Sequence, residues 1–140
     1  MLSQDQLMQS GEPGVDVVPE LTPLENELVI KKHRYSAFFG TDLDMILRSA
    51  NINTVAVTGV TTENCCHSTA RDAIFNGYRV AFLSDATGTF DYPDAGFGAI
   101  PAAEVHRVTL GILAVSTAHV MDTEEFLKLS NTRDGQRSAA

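Results

Sequence analysis

TVAVTGVTTENCCHSTARDAIFNGYRVAFLS, Thr54 to Ser84, is the stretch on which the fold turns. TVAVTG, Thr54 to Gly59, reads as a strand of the buried type. A helix over about Glu63 to Asn76 follows, and Gly77 ends it because a left-handed C-cap suits glycine. RVAFLS, Arg79 to Ser84, is a second strand, rich in β-branched and aromatic residues. Together they form a compact βαβ unit, whose two strands must run parallel.

The pattern extends in both directions. Upstream, ELVI, Glu27 to Ile30, is a short apolar run expected to form a strand. TDLDMILRSA then places Leu43, Ile46, Leu47 and Ala50 at helical spacing after Thr41, a plausible cap. Downstream, TGTFDYPDAGFGAIP is a loop of the length that usually carries function or simply crosses over in solvent. A third helix, about Ala103 to Ser116, sets Val105, Val108, Ile112 and Val115 on one face. AHVM is then a last strand, followed by the short helix TEEFLKL. Residues 1–26 read as an irregular lead-in, 27–131 as the folded domain and 132–140 as a frayed tail. Strands alternating with helices predict an α/β fold with a mostly parallel sheet covered on both faces, and sites in such folds lie beyond the carboxyl ends of the strands.

Composition narrows the function. Ten Lys and Arg stand against 18 Asp and Glu, a formal net charge of -8. That balance argues against nucleic acid, whose phosphates call for clustered cations. No apolar run approaches the ~20 residues needed to span a bilayer, so no membrane partner is expected. MLSQDQLMQSGEPG lacks the basic start and apolar core of a secretory signal, and two adjacent cysteines cannot build a disulfide framework. A cytoplasmic location is therefore expected.

On the helix, Cys66 shares a stripe with Ala70, Ala73 and Ile74 and reads as a small core residue, whereas Cys65 aligns with Ser68, Thr69 and Asp72. Cys65 lies in the first turn of a helix directly after a strand, where backbone N–H groups and the helix dipole favour thiolate over thiol. On spacing alone it is either a nucleophile or inert filler. Metal binding competes poorly, since CCH offers adjacent ligands without spaced partners. A disulfide between neighbours closes only a strained ring. KKHRYSAFFGTDL supplies Lys31, Lys32, His33 and Arg34 as proton-handling partners, or as a solvated basic turn.

The pattern KHRYSAFFGTDLDMILR, followed by VAVTGVTTENCCHSTARDAIFNGYRVAFLSDATGTFD, strongly resembles the isochorismatase-like cysteine hydrolases, from about Gly11 to Leu129. The resemblance implies a Rossmann-like three-layer α/β/α sandwich and a Cys, Lys and Asp triad without cofactor or metal. By position Cys65 matches the nucleophile and Lys32 the lysine of K-x-R-x-S-A-F, with Lys31 pointing elsewhere. It further implies a cis peptide before Thr61, so that the backbone N–H groups of Thr61 and Cys65 form an oxyanion hole. Specificity is expected from Tyr35, Phe38, His67 and the loop around Phe90 to Phe97. The implied reaction is cleavage of a C–N bond in a small amide or ureido compound through a Cys thioester, in a protein that assembles as a homo-oligomer.

The sequence departs from that family at its start. Relatives begin with a strand ending in an Asp-x-Gln signature, a helix and a second strand, and the aspartate serves as base. Nothing before Glu27 reads as those elements, and neither Asp5 nor Asp16 is delivered by an apolar strand. The chain thus reads as N-terminally truncated relative to the family, through a start at an internal methionine, with little or no hydrolase activity expected of it alone. The alternatives are a catalytically silent member acting through oligomerisation or ligand binding, and a working variant with another residue as base. Asp85, at the end of RVAFLS, reads as a turn or cap carboxylate.

Overall fold

A computed structural model of the chain describes residues 17–137, with side chains through residue 131. Three parallel strands, β1 (Thr54–Val60), β2 (Arg79–Gly88) and β3 (His119–Met121), form a sheet in the order β1-β2-β3. Four α-helices accompany them: α1 (Leu43–Ser49), α2 (His67–Phe75), α3 (Ala102–Ser116) and α4 (Thr123–Arg137). The α/β fold expected from the sequence is the one observed.

Alternation along the strands sorts the layers. Val55 and Val57 of β1, Val80 and Phe82 of β2 and Val120 of β3 share one core with Cys66, Ala70 and Ala73 at the front of α2 and Leu113 of α3. The intervening residues Thr54, Ala56, Arg79, Ala81, His119 and Met121 border a groove with Phe126 and Leu129 of α4. The sheet therefore lies between α2 and α3 on one side and α4 on the other.

The βαβ unit follows the sequence closely because its ends are chemically marked. Gly77 adopts φ 85°, the Tyr78 N–H donates to Ala73 O at 2.9 Å and the Gly77 N–H to Ile74 O at 3.0 Å. This pair of bonds satisfies the last carbonyls of α2 and turns the chain into β2. At the other end, register slips: between the Val57–Phe82 and Gly59–Thr87 pairs β1 advances two residues and β2 five, so the bulge lies on β2.

Three expectations change. ELVI forms no strand: Leu28 and Val29 are 64% and 70% exposed, and residues 28–32 are irregular. Apolar character alone cannot make a strand without a neighbouring ladder to satisfy its backbone. On α3 the buried residues are Thr109 and Leu113, while Val108, Ile112 and Val115 are exposed, Val115 by 89%. That helix is apolar on most of its surface, so periodicity alone selects no face. Finally, α4 runs unbroken through residues 132–137, where the sequence suggested a tail. Of the lead-in, residues 1–16 lie outside the described part, and Pro19–Leu21 form one 3₁₀ turn.

The long loop after β2 is pinned rather than free. Tyr92 and Ile100 exchange backbone hydrogen bonds of 2.9 and 3.0 Å, and Asp94 Oδ1 accepts from the N–H groups of Gly96 and Gly98. Both glycines have positive φ, which lets the loop tip curl around that carboxylate.

Candidate active site

Where β1 ends, the Val60–Thr61 peptide is cis. The chain then makes a π-helical turn, Thr62–Cys66, that merges into α2. The Cys66 N–H donates to Thr61 O at 3.1 Å across this wide turn. Its width separates the two cysteines, so Cys66 sits in the core and Cys65 is half-buried. Burial pushes the Cys66 thiol up to about 11, with the neighbouring Cys65 and Glu63 adding to the effect. Its S–H faces Thr58 O at 3.6 Å, a weak bond that leaves it a packed thiol.

Cys65 meets Lys32 across 33 residues of chain. Lys32 Nζ lies 3.3 Å from Cys65 Sγ and donates to Arg34 O at 3.0 Å. The segment carrying Lys32 is irregular, yet it is fastened to α2. The Ala37 N–H donates to Thr69 Oγ1 at 3.0 Å, and buried Ser36 accepts the Phe38 N–H at 3.1 Å. Thr41 Oγ1 accepts the Leu43 N–H at 3.3 Å, but the N-cap of α1 is Asp42, with no side-chain cap bond, one position later than the sequence suggested. Thr69 stands on the helix face of Cys65, one turn on, so a single face of α2 holds both the thiol and the loop that brings the lysine to it.

Lys32 and Cys65 line an open cleft of about 560 Å³ together with Phe38, Leu43, Leu47, Thr69 and the length of β1. Phe38 also packs on Tyr78, their rings 5.7 Å apart. Tyr35 and His67 do not belong to that lining. His67 Nε2 accepts from Arg71 Nε at 2.8 Å, and burial followed by the Arg71 charge lowers its pKa, so the ring is held neutral. Asp85 Oδ1 accepts from the Thr123 N–H and hydroxyl at 2.9 and 2.8 Å and caps α4. Asp5 and Asp16 lie outside the described residues. Among the described residues, no three His, Cys, Asp or Glu side chains gather as a metal site, and no helix is long and apolar enough to cross a membrane.

Two polar clusters around the turn had no signal in the sequence, because each joins residues far apart in the chain. Glu63 Oε1 accepts from Tyr92 OH at 2.6 Å and Asn64 Nδ2 at 3.0 Å, and Asn64 also donates to Tyr92 OH at 2.9 Å. Burial pushes the Glu63 carboxyl up, but the Tyr92 hydrogen bond, with the polar groups of Thr61, the backbone and Thr89 nearby, outweighs burial and leaves it below its ordinary value. Tyr92 is pushed up to about 12 by burial and by the bond to Glu63. The long loop is thereby tied to the cysteine turn.

Removing that tie predicts a measurable loss. Tyr92→Phe deletes a hydrogen bond to a charged acceptor and should cost about 1–2 kcal/mol in urea unfolding at neutral pH. Because the folded pKa of Glu63 is depressed, its contribution is present above the unfolded carboxyl range and fades as pH falls through the lowered value. The variant should therefore lose less stability than the parent on acidification; equal acid sensitivity would show that Tyr92 does not hold the carboxylate.

The sequence pattern of the Isochorismatase domain matches residues 2–125. The chain belongs to this family. Ureidoacrylate amidohydrolase RutB of Klebsiella pneumoniae is 45% identical over 84 residues, covering 60% of this chain and 36% of that protein. The isochorismatase family protein YwoC of Bacillus subtilis is 35% identical over 122 residues, covering 85% and 59%. Among solved structures, a cysteine hydrolase from Pseudomonas syringae pv. phaseolicola superposes with TM-score 0.83 at 40% identity, covering 89% of this chain and 58% of that one. The chain thus spans about a third of the RutB relatives and under two thirds of the other two. Isochorismatase-family membership accounts for the parallel α/β fold and identifies the chain with a hydrolase family.

Proposed function

We propose that Cys65 is the nucleophile of a hydrolase acting on the C–N bond of a small amide or ureido compound. The approach of Lys32 Nζ to Cys65 Sγ, at 3.3 Å beside an open cleft, carries this reading. Lys32 Nζ donates to that sulfur, which sets the amine at the atom that would attack the substrate.

The thiolate attacks the substrate carbonyl carbon, forming a C–S bond while the carbonyl electron pair moves onto oxygen. The backbone N–H groups of Thr61 and Cys65 receive that oxyanion. Its collapse breaks the C–N bond, and the amine leaves with a proton from the Lys32 ammonium. Water then adds to the thioester, giving its proton to neutral Lys32, and the thiolate departs as the acid forms. The sum is amide plus water to acid plus amine. Phe38 offers the substrate an apolar wall in the cleft, whereas Tyr35 and His67 stand outside that lining. The ureido class is favoured by similarity to RutB, a ureidoacrylate amidohydrolase.

A second reading, association without turnover, is favoured by the open edge of β1 and the exposed Val108, Ile112 and Val115 of α3 among the described residues. A homo-oligomer would cover such surfaces. The two readings part at the thiol. Incubation with a panel of N-carbamoyl compounds and primary amides, followed by acid quench and peptide mass analysis, should reveal an acyl adduct on Cys65 and release of ammonia or amine. Iodoacetamide at neutral pH should label Cys65 ahead of buried Cys66. Preferential labelling of Cys66, or no adduct with any compound, would overturn the enzymatic reading.

A further inference from the structure

The turn that carries Cys65 begins at Thr62, which is fully buried, and its hydroxyl is 2.9 Å from Nδ1 of His106 on α3. The other ring nitrogen, Nε2, lies 3.0 Å from Ser84 O on β2. A carbonyl only accepts, so Nε2 carries a hydrogen and donates. In the neutral ring Nδ1 must then accept from the Thr62 hydroxyl. The second nitrogen of His106 is thereby assigned by the first, and the ring becomes a fixed spacer between strand, helix and cysteine turn.

From this bridge we infer that His106 is a positioning residue: through Thr62 it sets where the turn presents Cys65 to Lys32 and the cleft. The inference rests on the reading of Cys65 as nucleophile. Its physical basis is the way the turn is held against the core. Pairing of β1 with β2 continues to Val60, opposite Gly88, and the π turn that follows lies beyond the sheet ladder. Against the core the turn has Cys66, anchored by packing and one weak S–H contact, and Thr62, anchored by a hydrogen bond with direction. Directional bonds fix orientation where packing fixes only distance. A thiol displaced by about 1 Å can lose on the order of 10²-fold in rate without any change in its own chemistry.

The test compares Thr62→Val, which keeps the shape and deletes the hydroxyl, with Thr62→Ser, which keeps the hydroxyl, and with His106→Gln. Readouts are the iodoacetamide rate at Cys65, thermal melting and, on any substrate found, kcat against KM. Thr62→Val should slow alkylation by about 10- to 100-fold and lower kcat more than KM changes, while Thr62→Ser recovers most of the loss. His106→Gln should fall with Thr62→Val, and the double variant should add little to either. Nitrogen-15 spectra of the unsubstituted protein should report His106 protonated on Nε2 rather than Nδ1. An Nδ1–H tautomer would overturn the inference even if every variant failed to fold. So would a Thr62→Val protein that melts lower yet alkylates at the parental rate, because the bridge would then be scaffold alone. If no amide is turned over by the unsubstituted protein, the enzymatic reading falls; the alkylation rates and the tautomer still decide whether His106 positions the thiol.

Discussion

Cys65→Ala is expected to lower amide turnover by roughly 10⁴-fold or more, the scale seen when a covalent nucleophile is removed. Cys65→Ser should do nearly the same, because a hydroxyl gains far less from a neighbouring ammonium than a thiol does. Lys32→Ala should lower kcat by about 10²- to 10⁴-fold, the usual worth of a positioned proton donor, and should slow alkylation of Cys65 at the same time. Lys31→Ala should stay close to the parent, since it is Lys32 that reaches the sulfur at 3.3 Å. The measurement is amine release on the best substrate of the amide and ureide panel, with alkylation run in parallel. A damaging Lys31→Ala and a harmless Lys32→Ala would mean that the loop re-registers in solution.

The neighbouring lysines show where a sequence reading rests on likeness rather than on local physics. Helical spacing assigns Cys65 and Cys66 to different stripes, and the outcome agrees although both lie in the π turn that precedes α2. Nothing local separates Lys31 from Lys32. Their segment is irregular, and its geometry comes from Ala37 bonding to Thr69 on α2, a contact invisible until the fold is assembled. The resemblance named Lys32, and the structure places its Nζ beside the thiol. The Thr62–His106 and Glu63–Tyr92 pairs span 44 and 29 residues of chain and leave no periodic trace.

The same division runs through the fold. The βαβ unit was legible because each boundary is written in residues with a physical signature: β-branched strands, a small-residue helix face and a glycine at the left-handed position. ELVI carries the apolar signature of a strand but finds no ladder among the described residues. On α3, Val105, Val108, Ile112 and Val115 satisfy helical periodicity as well as Leu113 does, and burial goes to the side that meets β2 and β3. Where a helix is apolar almost all round, the neighbours choose the face and the pattern cannot.

Phe82→Ala should have the largest effect on stability, about 3–5 kcal/mol, a large share of the roughly 5–15 kcal/mol that a domain of this size commands. Phe82 is fully buried at the middle strand, opposite Val57 on β1 and Val120 on β3. The upper part of the range applies for a structural reason. Ala70 and Ala73 already bring α2 close, and short side chains cannot swing in to fill the space a ring leaves. Phe97, 94% exposed at the tip of the long loop, supplies the control: Phe97→Ala should change stability by no more than about 0.5 kcal/mol. Urea unfolding of both variants reads the difference, and similar midpoints would show that the core is not centred on β2. Loss of Phe82 should also reach the thiol. Ser84, two residues on, offers the carbonyl that holds His106, so a slackened β2 should slow alkylation of Cys65 before the protein unfolds. Parental alkylation in a destabilised Phe82→Ala protein would mean that β2 yields at Phe82 without shifting Ser84, and that packing in the core and placement of the cysteine turn are independent.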